Sequence, residues 1–477
     1  MFILLIDLLF MNFQKSLLIL VLSFTSFVYG QEGNYKFNNF GNRSILLVGN
    51  VTGSVSDIGL TYYNPSFLTD VENVGFSLNA KAYQLVNVKL ESPVYEDTQL
   101  NNTVFNSAST MAGGVFNLLG TKFAYSYLTK SNLNFNINYN TNFLSDKILD
   151  QFPETVTHNA KIRLNSQTKD DWTGLSWAYR FSNAFSVGIS VFGSVYNYNG
   201  FSNLSHTLES SSNDVTFYQN SVSFKQKSYG LFSKIGANYH FTKFDLGINI
   251  NLPYLSIIND GRFAYSKTIA GVNAENNTFI DTYFKDLPAI RKEPLGISIG
   301  AGIPVKNGKI HLNLDYVNGL KKYDRISIPD IDIGDGIKIP VNFDEERRAV
   351  FNVGVGAELE LYKNLKAYGG FSTDFNAFKN NANIFDISSD KNKQINIGDD
   401  FYHMSGGVDW KLSWISIISG ITYTKGSNSF VSPYQIDFGN STIDNNLNSK
   451  LSYSRWQFVI GIDIPVLNRK IEDIGIK

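Results

Sequence analysis

The sequence predicts an all-β fold, a transmembrane antiparallel β-barrel of about 14 strands with an amino-terminal hatch in its lumen. Of the 477 residues, 14% are aromatic and only 17% are charged, whereas about 25% are charged in an average soluble domain. Long stretches of the chain alternate apolar and polar residues with a period of two, which indicates strands. The connections between these stretches are alternately short and long, as in outer-membrane barrels.

Charge and composition exclude several classes of protein. Lys and Arg number 41 against 42 Asp and Glu, so there is no basic field for nucleic acid, and we expect no nucleic-acid partner. The chain has no cysteine, which excludes disulfide scaffolds, cysteine–zinc sites and thiol catalysis. A mean hydropathy of −0.12 argues against a helical membrane protein.

Residues 1–30 are predicted to be an export signal, with translation starting at the first residue or at Met11. Lys15 provides the positive charge. Residues 17–27 form an apolar run shorter than the roughly 20 residues of a membrane-spanning helix. We expect the mature chain to begin at Gln31 and to reach the outer membrane of a Gram-negative cell. The alternative is an uncleaved amino-terminal anchor.

The barrel is predicted to occupy residues 74–464. Its fourteen strands are expected at 74–90, 111–129, 132–142, 160–181, 185–200, 215–241, 243–258, 290–305, 308–322, 347–361, 364–378, 400–411, 414–426 and 450–464. Lys130-Ser131 is among the predicted tight turns, and long polar segments such as 201–214 and 259–289 are predicted to be loops. Aromatic residues flank most of the tight turns. An even strand count places both termini on the periplasmic side; twelve or sixteen strands remain alternatives.

The two faces of each strand differ sharply. In the strand at 308–322, Leu312 and Leu314 share one face, whereas His311 and Asp315 share the other. A charge facing lipid costs roughly 2–4 kcal/mol at the bilayer midplane, so the apolar face is expected to meet lipid. The polar face, which includes Glu358 of a later strand, should line the lumen. A soluble sandwich would bury the apolar face instead, but the strand number and the export signal favour a barrel.

Residues 31–73 lack the alternation and are predicted to form a plug inside the lumen. Their apolar side chains either pack on the barrel wall or line a pocket for an acyl chain or an aromatic hydrocarbon. The candidates for that pocket are Phe40, Ile45, Leu47 and Phe67. Arg43 is expected to pair with a lumen carboxylate, the alternative being a solvated arginine.

A short motif ends this segment. Asp57 is followed after six residues by Asn64-Pro65 and then by Ser66-Phe67-Leu68. The motif resembles the D-x₆-N-P-[AS]-x-L element in the hatch of the FadL-like long-chain fatty-acid transporter family. The Asn- and Ser-rich loops resemble those of members from the Bacteroidota. The resemblance implies a fourteen-stranded barrel with an amino-terminal hatch.

The same resemblance implies a function and partners. It implies passive uptake of hydrophobic small molecules such as long-chain fatty acids, with outer-membrane lipid and the barrel-assembly machinery as partners. Family barrels usually end on an aromatic residue, whereas this chain continues past Ile464, so residues 465–477 are interpreted as a carboxyl-terminal tail.

Two other functions remain open from the sequence. The barrel could be a component or cargo shuttle of a protein-secretion system, or a structural outer-membrane protein without a substrate. Catalysis is not expected: no histidine lies at metal-ligand spacing from a second ligand, and no hydrolase or nucleotide motif is present. His311 and Asp315 could form a base and its partner, but a polar lumen explains them better. We expect no metal or cofactor.

Overall fold

A computed structural model describes residues 33–72, 74–91, 99–141, 152–272, 277–333, 336–379, 384–391, 399–431, 435–437, 442–444 and 448–465. The predicted export signal and the predicted tail beyond residue 465 lie outside these ranges. Within the described residues, no helix is both long enough and apolar enough to cross a bilayer.

Across the described chain, fourteen antiparallel strands pair in a closed ring, which confirms the predicted barrel of about fourteen strands. In ring order they are β1 (Val74–Glu91), β2 (Gln99–Leu118), β3 (Thr121–Thr141), β4 (Thr155–Arg180), β5 (Phe185–Ser210), β6 (Val215–His240), β7 (Asp245–Asn251), β10 (Gly296–Val305), β11 (Gly308–Val317), β16 (Val350–Tyr362), β17 (Leu365–Asp374), β18 (Phe401–Lys411), β19 (Ser416–Val431) and β22 (Asn448–Ile464). β22 pairs with β1 and closes the ring.

The remaining strands extend or cover the barrel. β8 (Leu255–Ala270) pairs with residues 217–231 of β6, the half that lies away from the tight turn after His240, and β9 (Thr278–Leu287) pairs with β8. Three small hairpins account for the other strands: β12 (Leu320–Asp324) with β15 (Asp344–Arg347), β13 (Ile331–Asp332) with β14 (Lys338–Ile339), and β20 (Gln435–Asp437) with β21 (Thr442–Asp444).

The strand faces separate as the sequence predicts. Leu312 and Leu314 are exposed on the outside of the barrel, whereas His311 and Asn313 are buried inside it. Outward aromatic pairs mark two levels. Phe241 and Phe244 meet at a tight turn with ring centroids 4.6 Å apart, and other pairs such as Tyr316–Phe351 and Tyr423–Trp456 lie near the opposite rim. Ten residues of a strand tilted by about 45° span roughly 23 Å, which is the height of an outer-membrane apolar band.

One predicted turn is wrong. β2 and β3 meet at Leu119-Gly120, where both residues have positive φ, and Lys130-Ser131 lies in the middle of β3. The pairing of β3 with β4 shifts between Thr129 and Ser131. This β-bulge leaves Lys130 and Ser131 both buried in the interior. Because the bulge interrupts the period-two pattern, the sequence gives the appearance of two strands joined by a turn.

Several predicted loops are strands in the structure. β4, β5 and β6 each have 26 residues, far more than the 9–11 or so that cross a membrane. The parts of these strands farthest from the tight turns extend beyond the neighbouring barrel strands. Together with β8 and β9 they form a continuous sheet, which we call the long-loop wall, on the long-loop side of the barrel. Residues 288–295, 318–333 and 336–347 fold against the inner face of this long-loop wall. They join it in a core that includes Tyr196, Phe224 and Phe343.

Candidate binding site in the lumen

The described amino-terminal segment, residues 33–72, lies against the inner wall of the barrel. It contains α1 (Asn42–Leu46), α2 (Leu60–Tyr63) and a 3₁₀ helix (Pro65–Asp70). Glycines from nine barrel strands face this segment so closely that a Cβ would meet its atoms; they are Gly188, Gly236, Gly247, Gly300, Gly354, Gly370, Gly407, Gly420 and Gly461. The segment approaches β22 at Asn42 and β5 at Pro65, so it passes around most of the wall.

Asp57, the first motif residue, organises the fold of this segment. One carboxylate oxygen accepts hydrogen bonds from the backbone N–H groups of Arg43 and Ser44, both at 2.7 Å. The other accepts bonds from the Ser44 hydroxyl at 2.8 Å and from the Gly59 N–H at 2.9 Å. Gly41 offers α1 no side-chain cap. Asp57 therefore satisfies the open end of that helix from fifteen residues along the chain.

Asn64 and Pro65 fix the next turn and attach it to the wall. The Asn64 side-chain oxygen accepts bonds from the N–H and the hydroxyl of Ser66, which caps the 3₁₀ helix, and Pro65 occupies its first position. The Asn64 amide donates to the carbonyl oxygens of Thr52 at 2.9 Å and Ala237 of β6 at 3.4 Å. The motif thus joins two parts of the segment to a barrel strand.

Arg43 lies between two carboxylates of the lumen wall. Its Nε is 2.6 Å from Asp409 of β18, and its Nη1 is 3.2 Å from Asp463 of β22. The same Nη1 donates to the carbonyl of Ser56 at 2.7 Å. The guanidinium therefore links the segment to two neighbouring regions of the wall through charge-assisted bonds.

Two of the three predicted lumen residues on β11 and β16 contact the amino-terminal segment. Asp315 accepts a bond from Lys36 Nζ at 2.8 Å. His311 Nδ1 is 3.3 Å from the Ser54 hydroxyl, and its Nε2 is 3.9 Å from Glu358. His311 is therefore directed at the amino-terminal segment. It does not pair with Asp315 as a general base with its carboxylate partner.

The four apolar residues predicted to bind substrate lie in two separate clusters. Phe40 and Phe67 pack together with Leu60 and other residues of one cluster. Ile45 and Leu47 pack in another, against Ile418 and Tyr368 of the wall. All four side chains are buried. They pack the segment onto the barrel, and none of them lines the cavity described next; their role as ligand contacts stays a prediction.

A cavity lies on the long-loop side of this packed region. It has about 90 Å³ of space for a water-sized sphere, and its walls come from the amino-terminal segment, the upper ends of β7, β10 and β11, and the segment before β10. The aromatic residues around it are Tyr35, Tyr62, Tyr63, Trp172 and Phe232. Trp172 and Phe232 stack with ring centroids 4.0 Å apart.

Titratable side chains lie at three places on the cavity wall, and one of these is the Lys36–Asp315 pair. Lys234 Nζ is 3.8 Å from the centre of the Tyr62 ring and donates to Asn251 at 2.6 Å. Glu293 lies 2.9 Å from Arg291. Burial raises the pKa of the Glu293 carboxyl to about 8, although Arg291 favours its charged form. The cavity thus combines aromatic walls with a lysine amino group that lies over a ring face and donates to an amide oxygen.

Sequence reasoning missed Tyr35, Trp172, Phe232 and Glu293 as cavity residues. A signal for two of them exists in the strand pattern. Trp172 and Phe232 stand on inward faces whose neighbouring positions are small or polar, such as Asp170 and Gly174 on β4. A large aromatic side chain on a polar lumen face is therefore a usable sign of a ligand cavity.

Solved structures share this architecture. A FadL homologue from Pseudomonas aeruginosa matches over 91% of this chain and 99% of its own, with a TM-score of 0.52 at 12% identity. The chain has the fold of a FadL-like outer-membrane barrel. The toluene transporter TodX from Pseudomonas putida matches over 89% of this chain and 98% of its own, with a TM-score of 0.55 at 11% identity. No family model and no curated protein matches the sequence.

A variant of TodX, described as a monoaromatic hydrocarbon channel, gives a TM-score of 0.56 at 11% identity over 90% of this chain and all of its own. At such identities the similarity concerns the fold alone.

The outer surface of the barrel is apolar. Alternate residues of β10, β11 and β16 face outward and are apolar, as a membrane-embedded barrel requires.

Proposed function

We propose that this protein is an outer-membrane channel for the passive uptake of hydrophobic small molecules such as long-chain fatty acids, with residues 33–72 acting as its hatch. The observation that carries this proposal is the aromatic cavity, which is bounded by the amino-terminal segment on one side and by the barrel wall on the other. A ligand there touches the segment that fills the lumen. Binding and opening are therefore coupled through shared residues.

The cavity favours an apolar ligand with room for one polar end. Tyr62, Trp172 and Phe232 provide ring surface, and each buried methylene contributes about 0.8 kcal/mol. Lys234 provides a cation for a carboxylate. About 90 Å³ is less than the roughly 150 Å³ that holds benzene in an engineered protein cavity. Entry of a ligand therefore requires side chains of the hatch or of the wall to move.

The movement that passage requires concerns a small number of polar links. Arg43 holds the hatch to Asp409 and Asp463, and Lys36 holds it to Asp315 beside the cavity. A carboxylate ligand near Lys234 would lie close to the Lys36–Asp315 ion pair. Its negative charge would compete with Asp315 for Lys36 and so weaken this link between the hatch and the wall. The concentration gradient drives the transfer, and binding of the ligand together with thermal motion is sufficient to open the path.

The test replaces cavity aromatics in the purified full-length barrel. Trp172→Ala and Phe232→Ala should each weaken the binding of a labelled long-chain fatty acid by about tenfold, because each removes a large apolar contact. Phe279→Ala is the matched control, since this phenylalanine of β9 is exposed outside the lumen. Folding of each variant is checked by its faster migration when unboiled. Unchanged affinity in both cavity variants would contradict the proposal.

A second variant distinguishes the two ligand classes. Lys234→Met should weaken fatty-acid binding more than toluene binding, because only the fatty acid has a carboxylate for the ammonium group. Equal losses for both ligands would mean that the lysine acts through packing. Binding of toluene alone would make the channel one for neutral aromatics, the class that TodX carries.

A further inference from the structure

Outward-facing residues of four neighbouring strands form rows around the barrel. The register of β4, β5, β6 and β8 places Lys169, Asn197, Lys227 and Asp260 in one row. The next row, farther from the tight turns, consists of Gln167, Asn199, Lys225 and Arg262. We call these two rows the cationic band.

The cationic band begins where the apolar exterior ends. The row directly below it begins with Asp171 of β4, the ion-pair partner of Lys169. Its other members are Val195, Tyr229 and Ile258, which are 43%, 41% and 61% exposed. Tyr229 lies eleven residues from His240 at the tight-turn end of β6, a rise of roughly 26 Å for a strand tilted by about 45°. This rise equals the height of the apolar band of an outer-membrane barrel. The cations therefore lie at the level of the outer-leaflet headgroups.

Carboxylates neutralise this region only in part. Lys169 lies 2.9 Å from Asp171, and Arg262 lies 3.8 Å from Asp260. Lys225 and Lys227 have no described carboxylate within 4 Å. Four cations thus face two carboxylates on this patch.

One pair within the band is unfavourable without an external anion. Lys225 is paired directly opposite Arg262 on β8, whereas Lys227, two residues from Lys225 on the same face, is paired opposite Asp260. Like charges directly opposite each other on a sheet are destabilising. An anion with more than one charge, shared by these side chains, would reverse the sign of that interaction.

The far side of the barrel differs at the same level. The outward residues there include the uncharged aromatics Tyr316 of β11, Phe351 of β16 and Tyr402 of β18, and a single lysine, Lys425 of β19, is paired directly opposite Tyr402. Such side chains suit a general membrane interface. The cationic band is therefore a local feature of the β4–β8 side and not a property of the whole rim.

We propose that the cationic band binds a phosphate-bearing lipid of the outer leaflet, with Lys225, Lys227 and Arg262 contacting its phosphate groups. Its acyl chains would lie against Val195, Tyr229 and Ile258 directly below. Each lysine or arginine near an anionic lipid surface adds to attraction. The side chains of the band and of the apolar row below it thus match the two parts of one amphipathic molecule.

The test compares lipids that differ only in phosphate. The folded full-length barrel in detergent is titrated with bisphosphorylated lipid A and with its dephosphorylated form, and bound lipid is counted by native mass spectrometry. The triple variant Lys225→Gln, Lys227→Gln, Arg262→Gln should bind the phosphorylated lipid at least about tenfold more weakly than the original protein. Both proteins should bind the dephosphorylated lipid equally.

The matched control removes three cations at the opposite rim. Lys243→Gln, Lys306→Gln and Lys363→Gln together change the net charge by the same amount at exposed tight turns, and this variant should bind the phosphorylated lipid as the original protein does. Equal loss in both triple variants would reduce the effect to net charge and overturn the site. Displacement of the lipid by millimolar inorganic phosphate would assign the band to free anions and would equally overturn a lipid site.

Discussion

The two halves of the lumen are built differently. On the tight-turn side, residues 42–65 approach glycines of nine strands, and nearly all of the segment's side chains there are buried. On the long-loop side, large aromatic residues such as Trp172 and Phe232 surround a cavity. Small wall residues allow close contact and a fixed position, whereas large ones leave gaps between rings. One half of the lumen is therefore closely packed, and the other contains the cavity proposed to bind a ligand.

The largest expected effect comes from removing the closed half. Deletion of residues 31–60, with the signal retained, should give a barrel that inserts and conducts ions, because pairing between neighbouring strands does not need the segment. Without these residues a fourteen-stranded lumen is wide enough for water. Conductance in planar bilayers measures the effect, and a deletion that conducts no more than the original protein would contradict a gating hatch.

A smaller effect is expected at Arg43. Arg43→Met leaves the carboxylates of Asp409 and Asp463 without their cation, and loss of one partner of a buried ion pair costs about 3–5 kcal/mol. Much of this cost should appear as loosening of the hatch, and so as more frequent conductance events. The triple variant with Asp409→Asn and Asp463→Asn is the control and should recover part of the stability. No recovery would mean that Arg43 acts mainly through its bond to Ser56.

A matched pair of glycines tests the packing directly. At Gly354 a Cβ would overlap the side chain of Asn50, whereas at Gly406 the nearest foreign atom would lie 3.9 Å away. Gly354→Ala should therefore destabilise the protein by about 1–3 kcal/mol through overpacking, and Gly406→Ala should change it little. Thermal unfolding followed on gels compares the two. Equal effects would show that strand propensity matters more than contact with the hatch.

The barrel could be predicted because its signal repeats along the chain. Alternation in strands such as β11 and β16 defines a lipid face and a lumen face, and turn residues divide the strands. The exception at Lys130 has a local cause, since a bulge and a turn interrupt alternation in the same way. Their difference depends on which residues pair across strands, and single-sequence patterns do not contain that information.

The site was less predictable for a related reason. Asp57 and Asn64 stand out because their partners lie near them in sequence, within the segment itself. The cavity assembles Tyr35, Trp172 and Phe232 from positions far apart in the chain. Leu47, which the sequence predicts as a ligand contact, is buried, because the wall glycines bring the strands close to the segment. Only the register of the closed ring determines that outcome.

The smallest effect is expected at the motif that connects the two halves. Asn64→Ala together with Pro65→Ala removes the cap of the 3₁₀ helix, the bonds to Thr52 and Ala237, and the restraint on φ at the first helical position. Loss of such a cap costs about 0.5–2 kcal/mol, too little to unfold a fourteen-stranded ring. The hatch should loosen while the amount of folded barrel stays constant. Because Tyr62 and Tyr63 directly precede Asn64 and line the cavity, the cavity should lose its shape, and uptake of a labelled fatty acid should fall by a few fold. Ser56→Ala is the matched control, since its hydroxyl makes only a long bond of 3.4 Å at an exposed position. Reduced barrel abundance would point to a role of the motif in assembly, and unchanged uptake would separate the motif from the cavity.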